Sequence, residues 1–383
     1  MPARATETRS SGWLVARAGI SLISAVAGLI SLSAIALAQS PKIEVVAAPD
    51  PTPGNIAVAQ DGTVIVTEHP SSKPKFAAFA VKDGKVSVFP NAEDAKIASG
   101  DSGKGFHPVL GIRVSKDGMV WMLSGNSGQP VKYLYGWDLT ANRMAHEYNF
   151  TAPVAHDDSF FNDIALAPQR HALFINDPAG DSDAAIVAVD TATGKARRLL
   201  EGHPSLRSED VSVVIKGRVM GFKGPDGKIR PLHGAINPIT IDSKAEWLYY
   251  GAMTGRSLYR VPVSALLDES LNPADLAAKV ERYADKPPCA GLTMDDAGNI
   301  YLADVQQFGV GAILAKDRSY RLLASDEKLM DWPDGLSVGP NGYVYVASSG
   351  LYHGFPSHAD LPRPADHYYI TRFKALAPTT VGR

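Results

Sequence analysis

One pattern returns six times after Pro41 and limits the fold more than any other feature of this 383-residue chain. Each copy has a short run of alternating apolar residues, a tight turn such as Asp61-Gly62 or Asn341-Gly342, and a second run rich in β-branched and aromatic residues. Such turn pairs between apolar runs are the strongest local signal of a β-hairpin. Apolar spacing with a period of two argues against helical repeats.

The spacing of the copies predicts the architecture. Aligned on the first apolar residue of each copy, they start at Ile56, Ile112, Ile164, Ile239, Leu292 and Leu336. The intervals range from 44 to 75 residues, which leaves room for four strands in each copy and predicts an all-β, six-bladed β-propeller. The longest interval predicts an extra hairpin or inserted ribbon within 201–235. The run YYITRF at 368–373 is expected to supply the missing outer strand beside residues 42–46 and so close the ring.

The N-terminus has the features of a secretory leader. An uncharged run from Ala18 to Ala38 ends in Ala-Leu-Ala and follows a basic segment, as in signal peptides. We therefore predict a signal peptide at 1–38 and a single propeller domain at 39–383, secreted or periplasmic and without membrane contact after cleavage. Because the uncharged run is also long enough to span a bilayer, an uncleaved anchor is the alternative.

Composition excludes several classes of protein. The chain has 38 Lys and Arg against 40 Asp and Glu, and it lacks the basic stripe that a nucleic-acid partner would require. Its single cysteine, Cys289, excludes both an intrachain disulfide framework and a cysteine-based zinc cluster.

Polar residues at the blade entries are the candidate site. Two positions before the aligned apolar residues, the copies read Gly54, Leu110, Asn162, Asn237, Ala290 and Asp334. Since such entries converge on the axis of a propeller, we predict a small-molecule site that is formed by Asn55, Asn162, Asp163, Asn237 and Asp334. Their oxygens would suit a divalent cation such as calcium, with Asn162, Asn237 and Asp334 as its ligands, and no other cofactor is expected. The alternative is that these side chains cap strand ends or bind buried backbone and water.

Acidic residues also end several second strands, namely Glu68, Asp177 and Asp304. We expect them at the opposite end of the channel or in turns, most of them with structural roles. No H-E-x-x-H motif occurs, and the catalytic residues, if there are any, stay unassigned.

Several segments resemble the major royal jelly protein/Yellow family, in particular its bacterial members related to dopachrome tautomerase. They include FNDIALAPQRHALFIND at 161–177, the run at 185–205 with its G-H-P-S element, and WPDGLSVGPNGYVYVASSGL at 332–351. The resemblance implies a six-bladed propeller that binds a small, often aromatic or amine ligand in its axial channel. Animal members generally use disulfides, which this chain cannot form.

The sequence is also similar, more distantly, to the SMP-30/gluconolactonase superfamily, in which a channel calcium or other divalent ion activates water or the lactone. Asn162 and Asn237 match that superfamily's asparagine ligands, but the glutamate position reads Gly54-Asn55 and the aspartate position reads Ala290. Three functions stay open at this point. They are a ligand-binding propeller, which we favour, a divalent-metal-dependent lactonase or isomerase, and a non-catalytic interaction scaffold.

Overall fold

The structure is a computed structural model that describes residues 40–98, 105–125, 128–365 and 367–382. The predicted signal peptide at 1–38 lies outside these residues. Within them, six four-stranded antiparallel sheets form the blades of a propeller, which confirms the predicted fold. No helix in this part of the chain is long and apolar enough to cross a membrane.

The blades follow one another along the chain, and in each of them the first strand lies innermost. The N-terminal strand, which completes the sixth blade, is β1 (Glu44–Ala47). Blade 1 contains β2 (Pro53–Val58), β3 (Val64–Glu68), β4 (Ala78–Lys82) and β5 (Lys85–Phe89). Blade 2 contains β6 (Gly111–Val114), β7 (Met119–Ser124), β8 (Lys132–Asp138) and β9 (Arg143–Phe150). Blade 3 contains β10 (Ile164–Ala167), β11 (Ala172–Asp177), β12 (Ala185–Asp190) and β13 (Ala196–Leu199).

An insertion precedes the remaining three blades. It comprises β14 (Val214–Ile215), β15 (Arg218–Val219), β16 (Gly221–Lys223) and β17 (Ile229–Pro231). Blade 4 contains β18 (Ile236–Ile241), β19 (Trp247–Ala252), β20 (Ser257–Pro262) and β21 (Glu281–Asp285). Blade 5 contains β22 (Leu292–Met294), β23 (Ile300–Asp304), β24 (Gly309–Ile313) and β25 (Tyr320–Ser325). Blade 6 contains β26 (Pro333–Val338), β27 (Tyr343–Ser348), β28 (Tyr369–Lys374) and β1.

The helices are short and connect strands. Two α-helices, α1 (Val263–Leu267) and α2 (Pro273–Ala277), lie between the last two strands of blade 4. Single 3-10 turns occur at Pro70–Ser72, Pro168–Arg170, Pro204–Leu206 and Leu351–Gly354.

The six aligned apolar residues all lie on the inner strands, and each of them is at most 1% exposed. Each inner strand contacts the inner strand of the next blade, and β26 contacts β2. Side chains alternate between the two faces of a strand. The period-two pattern of apolar residues therefore places the aligned apolar side chain of every inner strand in the packing between blades.

Strand β28 closes the ring. Its Thr371 pairs with Val346 on β27 and with Val45 on β1, so the first and last described strands share one blade. This confirms the predicted closure with one correction. The C-terminal strand is third from the axis, and the N-terminal strand is outermost.

Glycines allow neighbouring inner strands to approach closely. A Cβ atom on Gly111 would lie 2.7 Å from the Asn162 carbonyl oxygen, and one on Gly335 would lie 2.7 Å from Asn55 Oδ1. Larger side chains at these two positions would therefore push adjacent blades apart.

The insertion lies between blades 3 and 4, within the predicted range of 201–235. It forms two hairpins, where the sequence suggested one extra hairpin or an inserted ribbon, and each of them is a separate two-stranded sheet.

The C-terminal tail crosses one end of the channel, which we call the turn mouth because the turns between first and second strands lie there. Thr380 Oγ1 donates to Asp296 Oδ2 in blade 5 at 2.8 Å, and Gly382 packs against the backbone of Lys116 in blade 2. Since blades 2 and 5 are opposite in a six-bladed ring, the tail spans the axis. Val381 is only 3% exposed there, and a cavity of about 730 Å³ remains beside the tail.

Deletion of residues 378–383 should lower the free energy of unfolding by at least about 2 kcal/mol. The truncated chain loses the burial of the Val381 side chain, which is typically worth ~1.5 kcal/mol, and tail hydrogen bonds worth ~0.5–1.5 kcal/mol each. Blade 6 keeps its strands, because β28 ends at Lys374. Urea unfolding of the two proteins measures the difference, and equal values would mean that the tail adds nothing to the ring.

Candidate ligand site at the entry mouth

All five predicted binding residues lie at the entry mouth, which is the channel end where the inner strands begin. Asn55, Asn162 and Asp163 are buried, with 8%, 8% and 4% exposed surface, whereas Asn237 and Asp334 are half-buried. The last two are therefore the least buried of the five residues.

Arg113 on β6, which is not among the predicted site residues, links three blades at this mouth. Its Nη2 donates to Asp163 Oδ2 at 2.9 Å, and its Nη1 donates to Asn55 Oδ1 at 3.3 Å and to the Ile112 carbonyl at 2.8 Å. Both side chains of the Arg113–Asp163 pair are about 5% exposed. The sequence feature that could have indicated a role for Arg113 is its position inside the otherwise apolar run G-I-R-V.

The two carboxyl groups at the axis are in different environments. Burial raises the pKa of Asp163, while the nearby Arg113 guanidinium acts in the opposite direction. Burial also raises the pKa of Asp334 to about 7, and the charge of Asp163 adds to this effect. The Asp334 carboxylate accepts from the Ser349 hydroxyl at 3.3 Å, a hydrogen bond from the Trp332 side chain also acts to lower its pKa, and no cationic side chain among the described residues forms an ion pair with it. Of the Asp163 and Asp334 carboxyl groups, Asp334 is therefore the one that can still accept a cationic partner.

Side chains on second strands fasten neighbouring blades together at the same mouth. Thr67 Oγ1 donates to the Leu110 carbonyl at 2.8 Å. Asn176 Nδ2 donates to the Asn237 carbonyl, and Asn176 Oδ1 accepts from the Asp163 amide at 2.6 Å. The main chain of Asn237 is thus held by a hydrogen bond from blade 3, and that of Asp163 by one within blade 3.

The predicted position of the second-strand ends at the opposite channel end was wrong. In an antiparallel hairpin the end of the second strand lies beside the start of the first, and Glu68 pairs with Pro53. Asp304 likewise follows Ala303, whose carbonyl accepts from the Ala290 amide at 3.2 Å. These carboxyl groups therefore belong to the entry mouth, and burial raises the pKa of Glu68 there.

Asp177 has the structural role that was expected for most second-strand ends. It accepts from Arg198 Nη1 at 2.6 Å and from the Ser159 hydroxyl at 2.5 Å. Asp304 similarly accepts from the Tyr320 hydroxyl at 2.7 Å. Both carboxylates, Asp177 and Asp304, are therefore already bound by side chains of their own blade.

The insertion covers part of the entry mouth. Val213, Ile215 and Met220 share one apolar cluster with Ala290 and Trp332. Since Ala290 is the entry residue of blade 5, the insertion packs over the blade 5 and blade 6 side of the mouth.

The predicted ligands supply few charged oxygens for a divalent cation. Asn162, Asn237 and Asp334 offer one carboxylate between them, and Asp163 is already paired with Arg113. In the described part of the chain, no group of three or more His, Cys, Asp or Glu side chains could hold a metal ion. Calcium takes about six to eight oxygen ligands, which include amide carbonyls as well as carboxylates, so the predicted set of Asn162, Asn237 and Asp334 stays a prediction.

A comparison with known families supports this architecture. The family model of the major royal jelly proteins matches residues 108–374. The chain belongs to this family. The match covers the greater part of the propeller of this royal jelly family protein, including four of the five predicted site residues, and it confirms the resemblance seen in the sequence.

Solved structures agree on the fold. A luciferin-regenerating enzyme has a TM-score of 0.56 at 12% identity, and the match covers 90% of this chain and 100% of that one. The calcium-binding protein regucalcin from Agrobacterium tumefaciens has a TM-score of 0.54 at 14% identity, with 88% and 99% covered. The PQQ-bound aldose sugar dehydrogenase from Streptomyces coelicolor has a TM-score of 0.51 at 13% identity, with 87% and 98% covered. At these identities the likeness establishes the six-bladed fold alone. No curated protein matches the sequence.

Proposed function

We propose that this royal jelly family protein binds a small ligand carrying an amine at the entry mouth of its channel. The observation that carries the proposal is the Asp334 carboxyl, which is half-buried at the axis and forms no ion pair with a described cationic side chain. A ligand ammonium group would supply the missing partner. The proposal includes export from the cytoplasm, which rests on the leader at 1–38 alone.

The neighbouring residues suit the rest of such a ligand. Asn162 and Asn237 place neutral amides on two other blades that face the same axis, so they can orient the ligand through hydrogen bonds without adding charge. The Arg113–Asp163 pair is internally neutralised at 2.9 Å. Among these residues, Asp334 therefore contributes the charge, and the amides contribute geometry.

This arrangement gives the affinity a defined pH dependence. Because burial raises the pKa of Asp334 to about 7, the carboxyl is largely protonated at pH 5 and largely ionised at pH 8. An amine that stays charged over this range should bind more tightly as the pH rises through 7. The reverse trend would contradict a carboxylate–ammonium contact.

The direct test is calorimetric titration with amines found in a thermal-shift screen of small aliphatic and aromatic amines. Replacing Asp334 by Asn should weaken binding by about ten- to a hundredfold, since a hydrogen bond to a charged group contributes ~1.5–3 kcal/mol. Replacing Asn162 by Ala should weaken it less, because that contact is neutral.

The matched control is Asp317→Asn, which removes one carboxylate from an exposed turn of blade 5. It should leave the affinity unchanged. Equal affinities for the wild type and Asp334→Asn would end the case for this site, and failure of every amine to bind would favour the non-catalytic scaffold. The lactonase or isomerase alternative gains no support from the ligand set at the mouth.

A further inference from the structure

The insertion carries an unusual share of the exposed apolar surface. Eight large hydrophobic residues are exposed in the described chain, and half of them lie within residues 214–229. These four are Val214, Val219, Phe222 and Ile229, at 40%, 39%, 55% and 39% exposure. Single exposed hydrophobic residues are normal, but a cluster of them marks an interaction surface.

The second hairpin, β16–β17, is exposed on both faces. Phe222 pairs directly with Arg230, and Lys223 pairs directly with Ile229. Since directly opposed residues of an antiparallel pair share a face, each face of this hairpin carries one large apolar side chain and one basic side chain. The hairpin has no hydrogen-bonded neighbour strand among the described residues, and a lone two-stranded sheet is only marginally stable in water.

The base of the hairpin is nevertheless fixed to the propeller. The Gly221 amide donates to Ser357 Oγ at 3.1 Å, and the Phe222 and Phe355 rings are 5.0 Å apart between centroids. The element therefore projects from a defined position beside the entry mouth.

The charge of the hairpin is opposite to that of the chain as a whole. Residues 221–231 contain three basic residues and one acid, Asp226, whereas the whole chain has a net charge of −2. Lys223 and Lys228 form no ion pair with a described carboxylate, and Arg230 reaches Asp226 only at 3.8 Å with both side chains largely exposed. In the first hairpin, by contrast, Arg218 is paired with Asp360 at 2.7 Å.

We propose that the β16–β17 hairpin docks on an anionic lipid surface. If the hairpin lies at the depth of the lipid headgroups, one of its faces buries the Phe222 side chain and the other buries the Ile229 side chain. The lysine and arginine side chains then extend to the lipid phosphates. Basic side chains are attracted to anionic headgroups, and this attraction weakens with salt. The docking would revise the expectation of a mature chain without membrane contact, and it is independent of the ligand proposed for the entry mouth.

The test is cosedimentation of the exported protein with vesicles of phosphatidylglycerol and phosphatidylcholine, or of phosphatidylcholine alone. Binding is expected only to the anionic vesicles, and it should fall as salt is added. Lys223→Gln with Lys228→Gln should lower the partition coefficient at least tenfold, and Phe222→Ser with Ile229→Ser should do the same. All proteins carry the same N-terminus, so any contribution from the leader cancels in the comparison.

The matched control is Lys85→Gln with Val86→Ser, which removes the same kinds of exposed side chain from β5 on blade 1. It should bind like the wild type, and melting curves check that every variant is folded. Equal binding of the hairpin variants and the wild type, or equal binding to both kinds of vesicle, would overturn the proposal. Binding to soluble polyglutamate but not to vesicles would also overturn it and would indicate an acidic protein partner.

Discussion

Replacing Arg113 by Met is expected to lower the free energy of unfolding by about 3–5 kcal/mol at pH 7.5. The substitution leaves Asp163, which is 4% exposed, without the guanidinium that lies 2.9 Å away. Removing one partner of a buried pair strands the other charge, which is the costly outcome. It also removes the hydrogen bond from Arg113 to Asn55. The side chain at position 113 then no longer links blades 1, 2 and 3.

The pH dependence identifies the stranded charge as the cause. Burial already raises the pKa of Asp163, and Arg113 acts against that rise. Without Arg113 the carboxyl should take up a proton at higher pH, so the loss of stability should be smaller at pH 4.5 than at pH 7.5. Urea unfolding at the two pH values measures both quantities.

Two further variants complete this test. Arg113→Met with Asp163→Asn removes both charges and should recover most of the lost stability. Lys195→Met breaks the ion pair with Glu269, in which both side chains are more than 60% exposed, and should cost no more than about 1 kcal/mol. A loss in Arg113→Met as small as that in Lys195→Met would contradict a structural role for the buried pair.

The fold could be predicted from the sequence because its signals are local and repeated. Period-two alternation recurs in all six copies, four of the six carry a glycine turn such as Asp61-Gly62, and the intervals leave room for four strands. Every aligned residue from Ile56 to Leu336 lies on an inner strand. The insertion was located but its two hairpins were not, because strands of two or three residues such as β14 and β16 leave too short a pattern.

The site could be predicted only in part because its contacts form after the ring closes. The entry residues share one alignment position, so their convergence on the axis follows from the repeat. Arg113 lies outside that position, and its partners Asn55 and Asp163 are 58 and 50 residues away along the chain. The position of Glu68, however, could have been predicted from antiparallel pairing alone, since the end of a second strand returns to the start of the first.

The substitution Asp334→Asn should raise the free energy of unfolding and lower the affinity for an amine. Burial raises the pKa of Asp334 from the ordinary value of 3.8 to about 7, so the folded protein holds a proton there that the unfolded chain has released. Between about pH 4 and pH 7 this group therefore makes the free energy of unfolding fall as the pH rises. Asparagine has nearly the same shape and cannot ionise, so Asp334→Asn removes this penalty.

The expected result is a variant that matches the wild type below pH 4 and is more stable above pH 7. Each pKa unit corresponds to ~1.4 kcal/mol, so the gain is at most about 4 kcal/mol, and less where solvent reaches the half-buried carboxyl. Urea unfolding at pH 4, 6 and 8 measures the difference.

The matched control is Asp295→Asn, a buried aspartate whose carboxylate accepts from the Tyr301 hydroxyl and from Asn299 Nδ2, both at 2.9 Å. Its replacement should lower stability, because the amide cannot accept all of those bonds. If Asp334→Asn behaves in the same way, Asp334 is a strand cap like other structural aspartates. If it instead gains stability at pH 8 and loses amine affinity, the fold retains a destabilising carboxyl at the axis because binding requires its charge.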